Sequence, residues 1–250
     1  MSMDTSDLKS SILDNIYFVS FATNKYAKTL ERIRQQAIDM GVFKEVICLS
    51  EKDIEQEFWQ KHEEFIENNP RGHGCWIWKP KIVQIIFNRL PVGSIMFYCD
   101  AGSTLFKEGI ERFQEYIAIT RNSKYDNLSF QMDIPEILYT RKSILDAFEY
   151  KNVMSGQLLG GIFFLKKSPF TQNLVDLWCK YSEQYDLIGD VDEEHMSQES
   201  EDFIENRNDQ SIFSVLRKRF GTTAIRDETY FGVNYERFKK YPIHATRIKY

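Results

Sequence analysis

What the chain lacks narrows its class first. No glycine occurs in "FVSFATNKY", the run that would carry the phosphate turn of a dinucleotide-binding unit. The Gly-x-Gly-x-x-Gly loop is therefore missing, and a methyltransferase or dehydrogenase of that kind is disfavoured. Four cysteines are present, Cys48, Cys75, Cys99 and Cys179, with no Cys-x-x-Cys pair. Three of them lie in or beside apolar runs, which reads as reduced core thiols and argues against a zinc site. His62 and His73 show no ligand spacing and read as surface histidines. No apolar run approaches the roughly 18 residues of a membrane span. No Pro-, Gly- or Ser-rich linker and no internal repeat divides the chain, so one domain is expected. No concentrated basic stripe or motif points to nucleic acid. The start, "MSMDTSDLKSSILDN", is polar and lacks the apolar core of a secretory signal. Residues 1–14 are expected to form a flexible N-terminus, and the cytoplasm is the expected location.

What is present is an ordinary globular composition: 250 residues, 42% hydrophobic and 28% charged, enough to bury a large core. Aromatics, at 14%, suit a thick core or a pocket that stacks on flat ligands. The charge is uneven. Residues 183–206 hold ten acidic side chains and no lysine or arginine, so a net charge of −5 on the chain leaves +5 on the other 226 residues. A mildly basic body with an acidic insert favours an anionic ligand.

The pattern along the chain is that of a layered α/β domain. "NIYFVSFAT" (15–23) reads as a first strand. "KYAKTLERIRQQAIDMG" has helical spacing through Leu30, Ile33, Ala37 and Met40, with Gly41 as its stop. "VFKEVICLS" (42–50) is a second strand, "EKDIEQEFWQKHEEFIEN" an amphipathic helix, and "CWIWKPKIVQIIFNRL" a helix starting near Lys79, because Pro80 fits a first turn. "SIMFYCD" follows as a strand with almost no polar face, the mark of a mostly parallel sheet covered on both sides. Further on, "FKEGIERFQEYI", "RKSILDAFEY", "PFTQNLVDLWCKYSEQY" and "NDQSIFSVLRKRF" read as helices, the last with Asn208 as N-cap. "LLGGIFFLKKS" is a buried strand and "TTAIRD" a short one. Alternating β and α elements imply a central sheet flanked by helices.

One residue stands out in that pattern. In "PVGSIMFYCDAGSTL" the third strand ends on Asp100, and ligands of such sheets sit beyond the carboxyl ends of the strands. Aspartate is also a common turn residue, so the position alone does not assign it.

Taken in order, "RGHGCWIWKP", "IMFYCDAGSTL", "LLGGIFFLKKS", "RNDQSIFSVL" and "YPIHATRIK" resemble the GT-A-fold glycosyltransferases. The resemblance is strongest to capsule, lipopolysaccharide and large-DNA-virus sugar transferases whose strand ends in Asp-Ala-Gly, and it covers residues 15–250. It implies a Rossmann-like, mostly parallel sheet in one domain, with 15–125 as the nucleotide-binding half and 126–250 as the acceptor-binding half. It implies transfer of a sugar from a nucleotide-diphosphate donor to a hydroxyl on a glycan, lipid or protein. A non-catalytic carbohydrate-binding protein derived from the same fold stays open, as does another nucleotide-dependent α/β enzyme.

The resemblance also suggests roles. Such strand tips usually carry Asp-x-Asp, holding Mg²⁺ or Mn²⁺ against the diphosphate; here the second position is Gly102. Asp100 is the expected donor-site carboxylate, and Asp100 with His244 are the expected ligands of a divalent cation, since one carboxylate alone is a poor site for a hard ion; the alternative for His244 is a structural histidine of the terminal segment. Arg247 or Lys249 is the basic partner of the diphosphate. Asp209 and Gln210 face the sugar, Asp209 as hydroxyl ligand or, if the enzyme inverts, general base; an aspartate there also suits a helix N-terminus electrostatically. Lys79 pairs with phosphate. Trp76 or Trp78 stacks on sugar or base, or packs in the core. Gly160 and Gly161 let the backbone approach the donor sugar, or serve a turn or bulge. The literal Asp-x-Asp at Asp190–Asp192 follows no strand and reads as a solvated loop, or a lid over bound donor.

Overall fold

A computed structural model of the protein describes residues 15–232 and 235–250. Residues 1–14, expected as the N-terminal extension, lie outside the described residues. The strands are β1 (Ile16–Phe21), β2 (Glu45–Leu49), β3 (Ile95–Cys99), β4 (Thr104–Leu105), β5 (Asn127–Pro135), β6 (Gly156–Lys166), β7 (Thr223–Arg226) and β8 (Ile243–His244). Six of them form one sheet in the order β2-β1-β3-β6-β5-β7. The β1–β2, β1–β3 and β5–β7 pairs are parallel, whereas β6 pairs antiparallel with both β3 and β5. Five strands therefore leave the sheet at one edge, and β6 enters it there.

The longer helices are α1 (Ala27–Met40), α2 (Gln56–Asn68), α3 (Trp78–Arg89), α4 (Ile110–Asn122), α5 (Pro169–Ser182) and α6 (Asp209–Phe220). The apolar period of α1 buries Ile33, Ala37 and Met40, and the helix ends where Gly41 adopts φ 64°. Ser168 caps α5 through Thr171, with Pro169 in its first turn.

Strand alternation divides the core in two. One cluster gathers Tyr17, Val19, Met96, Tyr98 and Phe163 under α3, α5 and α6, where Ile82, Trp178 and Phe213 meet them. The other gathers Ile16, Phe18, Ile95, Phe97 and Phe164 against Ile33 of α1 and Phe113 of α4. All five residues of β3 are buried, which is why its sequence carries no polar face. Full burial of each large apolar side chain contributes about 1.5–3 kcal/mol.

This layering fixes where the site forms. The helices α3 and α6 immediately precede β3 and β7, and each runs back across the sheet so that it begins over the edge where the parallel strands end. Residues two apart in a strand share a face, so Asp100 follows Tyr98 onto the face those two helices cover.

Candidate active site

Asp100 follows β3 directly. Its backbone N–H donates to the Gly161 carbonyl (2.8 Å) and its carbonyl accepts from Ser103 N–H (2.9 Å), so the tip is pinned to β6. The Tyr98 hydroxyl donates to Asp100 Oδ1 at 3.0 Å. A Cβ on Gly161 would lie 2.3 Å from Asp100 Oδ2, so the absence of a side chain there is what leaves the carboxylate its place.

Lys79 reaches this carboxylate from α3. The chain enters α3 through five consecutive residues of positive φ: Gly72 (61°), His73 (55°), Gly74 (81°), Cys75 (54°) and Trp76 (59°). Left-handed backbone costs roughly 1–2 kcal/mol at each residue with a Cβ. The turn is held by Cys75 N–H on Arg71 O (2.8 Å) and by Trp78 Nε1–H on Gly72 O (2.9 Å). It reverses the chain abruptly, so that α3 starts over the strand tips with Lys79 in its first turn. Lys79 Nζ lies 3.2 Å from Asp100 Oδ1 and 3.2 Å from Asp209 Oδ2. The second contact is an ion pair by distance, without the alignment of a hydrogen bond.

Asp209 opens α6. Asn208, before it, has φ 52° and ψ −119°, a conformation that costs of order 1–3 kcal/mol and tends to occur at functional sites. Asn208 does not cap α6 through its side chain as the sequence suggested. Its Nδ2 donates instead to Ile188 O (2.7 Å) and Asp190 Oδ1 (2.9 Å), which holds the strained link and leaves Asp209 aimed at Lys79. The Trp178 indole N–H donates to the Asp209 carbonyl at 3.1 Å, tying this helix start to α5.

The three charges differ sharply in exposure: the side chains of Lys79 and Asp209 are each 4% exposed and that of Asp100 is 41%. Asp100 is thus the member that faces solvent. Burial pushes the Asp209 carboxyl up to about 7; Lys79 opposes the shift and the Asp100 charge adds to it. Burial also acts to lower the proton affinity of Lys79, but the two aspartates outweigh it and the ammonium is held above its ordinary value. Tyr98 is pushed well above the usual phenol range by burial and the Asp100 charge, so it remains a donor. A carboxyl that titrates near neutrality beside a fixed ammonium is suited to accepting or giving a proton at physiological pH.

The remaining sequence candidates fall into two groups. Gln210 belongs to the site: its Oε1 accepts from Gly160 N–H (2.9 Å) and its Nε2 donates to Gln157 Oε1 (2.7 Å). The Gly102 carbonyl accepts from Ile248 N–H (2.8 Å) and Thr246 Oγ1 (2.9 Å), which draws the C-terminal segment onto the strand tip and sets exposed Arg247 beside it. Trp78 requires a correction. It is 7% exposed with its ring 4.1 Å from that of Phe21, so it packs the core and has no face free to stack on a ligand. His62 is corrected too: it is fully buried, with Nδ1 2.8 Å from the Tyr185 hydroxyl.

His244 takes a different place from the one the resemblance implies. It pairs with Thr104 between β8 and β4, its Nε2–H donates to Phe238 O at 3.0 Å, and Phe106, Phe231 and Tyr235 surround its ring. Among the described residues, no group of three or more His, Cys, Asp or Glu side chains is placed to hold a metal ion. With Asp100 Oδ1 already engaged by Tyr98 and Lys79, the residues present do not fit a divalent cation held by Asp100 and His244.

The acidic segment is anchored beside the site. Arg71 pairs with Asp190 (3.3 Å) and Glu205 (3.0 Å) and lies over Trp76. Asp192 is paired with His195. Sequence reasoning missed Tyr98, which alternation from Asp100 would have found, and Arg217. The latter is fully buried and donates to Leu159 O (2.7 Å) and Ser129 Oγ (2.9 Å). Burial pulls its guanidinium down to about 9 against the raising effect of Glu136 and Asp209. A cavity of about 290 Å³ lies around Lys218, Tyr150 and Thr222, away from Asp100. The Lys218 ammonium there is already held by Glu136 at 2.5 Å.

The sequence matches no protein-family model, and no curated protein is significantly similar to it. A solved structure described as a glycosyltransferase involved in the glycosylation of the major capsid of PBCV-1 is similar at 9% identity, over 92% of this chain and 91% of that one, with a TM-score of 0.46. A likeness of that size says nothing about activity, which rests on the side chains themselves. No described helix is long and apolar enough to cross a membrane.

Proposed function

We propose that the protein is a nucleotide-sugar-dependent glycosyltransferase of GT-A type, moving a sugar to a hydroxyl of a glycan or lipid-linked acceptor. The observation that carries this reading is the convergence of Asp100, Lys79 and Asp209 with the Gly160–Gly161 backbone. They meet at the carboxyl edge of the parallel strands, where ligands of such sheets bind.

In this reading the exposed face of Asp100 accepts hydrogen bonds from donor hydroxyls, and Gln210 with the β6 backbone lines the sugar. The bond from the anomeric carbon to the diphosphate breaks while the acceptor oxygen bonds to that carbon. Positive character on the sugar is stabilised by the nearby carboxylates. The charge developing on the diphosphate is met by Arg247, which is exposed next to Gly102. Asp209 holds a sugar hydroxyl, or takes the acceptor's proton if the displacement inverts; its pKa of about 7 allows either. Isothermal titration with a panel of UDP- and GDP-sugars tests the reading. Saturable binding of at least one donor is expected, and a panel with no binding overturns it.

A further inference from the structure

Within this transferase reading, we propose that Lys79 is the resident cation of the site, filling by covalent attachment the place of a bound divalent metal, so that the donor binds without one. Lys79 Nζ already sits 3.2 Å from one oxygen of each aspartate. The inner side of the Asp100 carboxylate is taken, which leaves only its outer edge, and a lone carboxylate edge is a poor site for a hard ion. Asp100 Oδ1 accepts from Tyr98 and faces Lys79, and its Oδ2 accepts from Lys79 at 3.5 Å while lying against Gly161.

A metal bound through Asp100 would sit about 2.0–2.6 Å from a carboxylate oxygen. That puts a dication within a few ångströms of an ammonium whose side chain is 4% exposed, so little solvent screens the repulsion. Displacing Lys79 would also leave Asp209 buried beside no cation, a costly arrangement. Nor does another ligand stand ready: Gly102 occupies the second Asp-x-Asp position, and the fully buried His244 ring has Nε2 committed to Phe238 and its unpartnered Nδ1 enclosed within the aromatic surround. The α-helical start that presents Lys79 is built on five consecutive left-handed residues. The ammonium is therefore a fixed part of the tip.

In this arrangement Lys79 is a positioning residue. It neutralises and orients Asp100, leaving the outer edge of that carboxylate for sugar or ribose hydroxyls, and the diphosphate depends on cations across the mouth such as Arg247.

The test is a titration of the full chain with Mn²⁺ alone, followed by the loss of the free-ion signal in electron paramagnetic resonance. The wild type is expected to bind no stoichiometric Mn²⁺ up to about millimolar ion. Lys79→Ala, which frees both carboxylates, is expected to acquire Mn²⁺ binding that is lost again when Asp100→Asn is added. One equivalent bound by the wild type and removed by Asp100→Asn overturns the proposal. So does a folded Lys79→Ala that binds none, because something other than Lys79 then excludes the ion. If Lys79→Ala does not fold, the wild-type titration still decides. For any donor that binds, the affinity in EDTA and in Mn²⁺ should agree within about twofold. Failure of every donor to bind defeats the transferase reading, and the Mn²⁺ titration, which needs no donor, remains interpretable.

Discussion

Replacing Asp209 with asparagine tests the electrostatics of the site with a sign that can be worked out beforehand. In the folded protein this carboxyl titrates near 7 because it is buried; in the unfolded chain it titrates near 3.9. Between those values the folded state holds one proton that the unfolded state has released, so stability falls as pH rises. The contribution is fully present below about pH 4 and lost as pH passes 7. The slope is about 1.4 kcal/mol per pH unit, so between pH 5 and 7 the wild type should lose somewhat under 3 kcal/mol relative to Asp209→Asn, which has no such proton. The attraction of Lys79 for the ionised carboxylate is already contained in the value near 7, so what else separates the two proteins is an offset that does not change with pH until lysine itself titrates. Urea unfolding of both proteins at pH 5, 6, 7 and 8 reads the difference directly. A wild-type stability that falls by about 2–3 kcal/mol relative to the variant from pH 5 to 7, with the curves parallel above 8, supports the assignment. Parallel curves throughout, within about 0.5 kcal/mol, would refute a buried, proton-holding Asp209.

Other consequences follow from single contacts. Gly161→Ala places a methyl 2.3 Å from the Asp100 carboxylate; it should cost about 1–3 kcal/mol of stability and weaken donor binding far more than Gly93→Ala, whose cost is that of a left-handed backbone (φ 86°) with nothing within 4 Å. Arg71→Ala removes two of the ion pairs that anchor the acidic segment. Because Arg71, Asp190 and Glu205 are exposed, the change should move global stability by less than about 1 kcal/mol, while limited proteolysis within 190–205 speeds up.

How much of this was readable in the chain differs from element to element. β1, α1 and β3 were legible because their periodicity and stop signals agree with the fold: Gly41 ends α1 at positive φ, and β3 has no polar face because both faces are covered. The place of Asp100 at the β3 tip was legible from position, but position alone did not assign the carboxylate a role. β5 was not, because "NLSFQMDIP" places Asn127 and Ser129 at fully buried positions. Their partners are Tyr125, Gly221, Thr222 and Arg217, of which the last three lie far along the chain. Burial of a polar side chain that depends on a remote partner leaves no local signal. His62 was misread for the same reason, since Tyr185 supplies its partner. The cap at Asn208 had the right position and the wrong chemistry, its amide being drawn to Ile188 and Asp190. The reversed direction of β6 could not be read from its apolar run, yet it is what brings Gly161 opposite Asp100.

The central claim is that the β3 tip presents Asp100 to a sugar nucleotide. It is tested most directly by measuring nucleotide released from a panel of donor sugars by wild type and Asp100→Ala, with cooperative melting confirmed for both. The account predicts release from at least one donor by the wild type and loss of that release, by about a hundredfold or more, in the variant. Full turnover by a folded Asp100→Ala would contradict it.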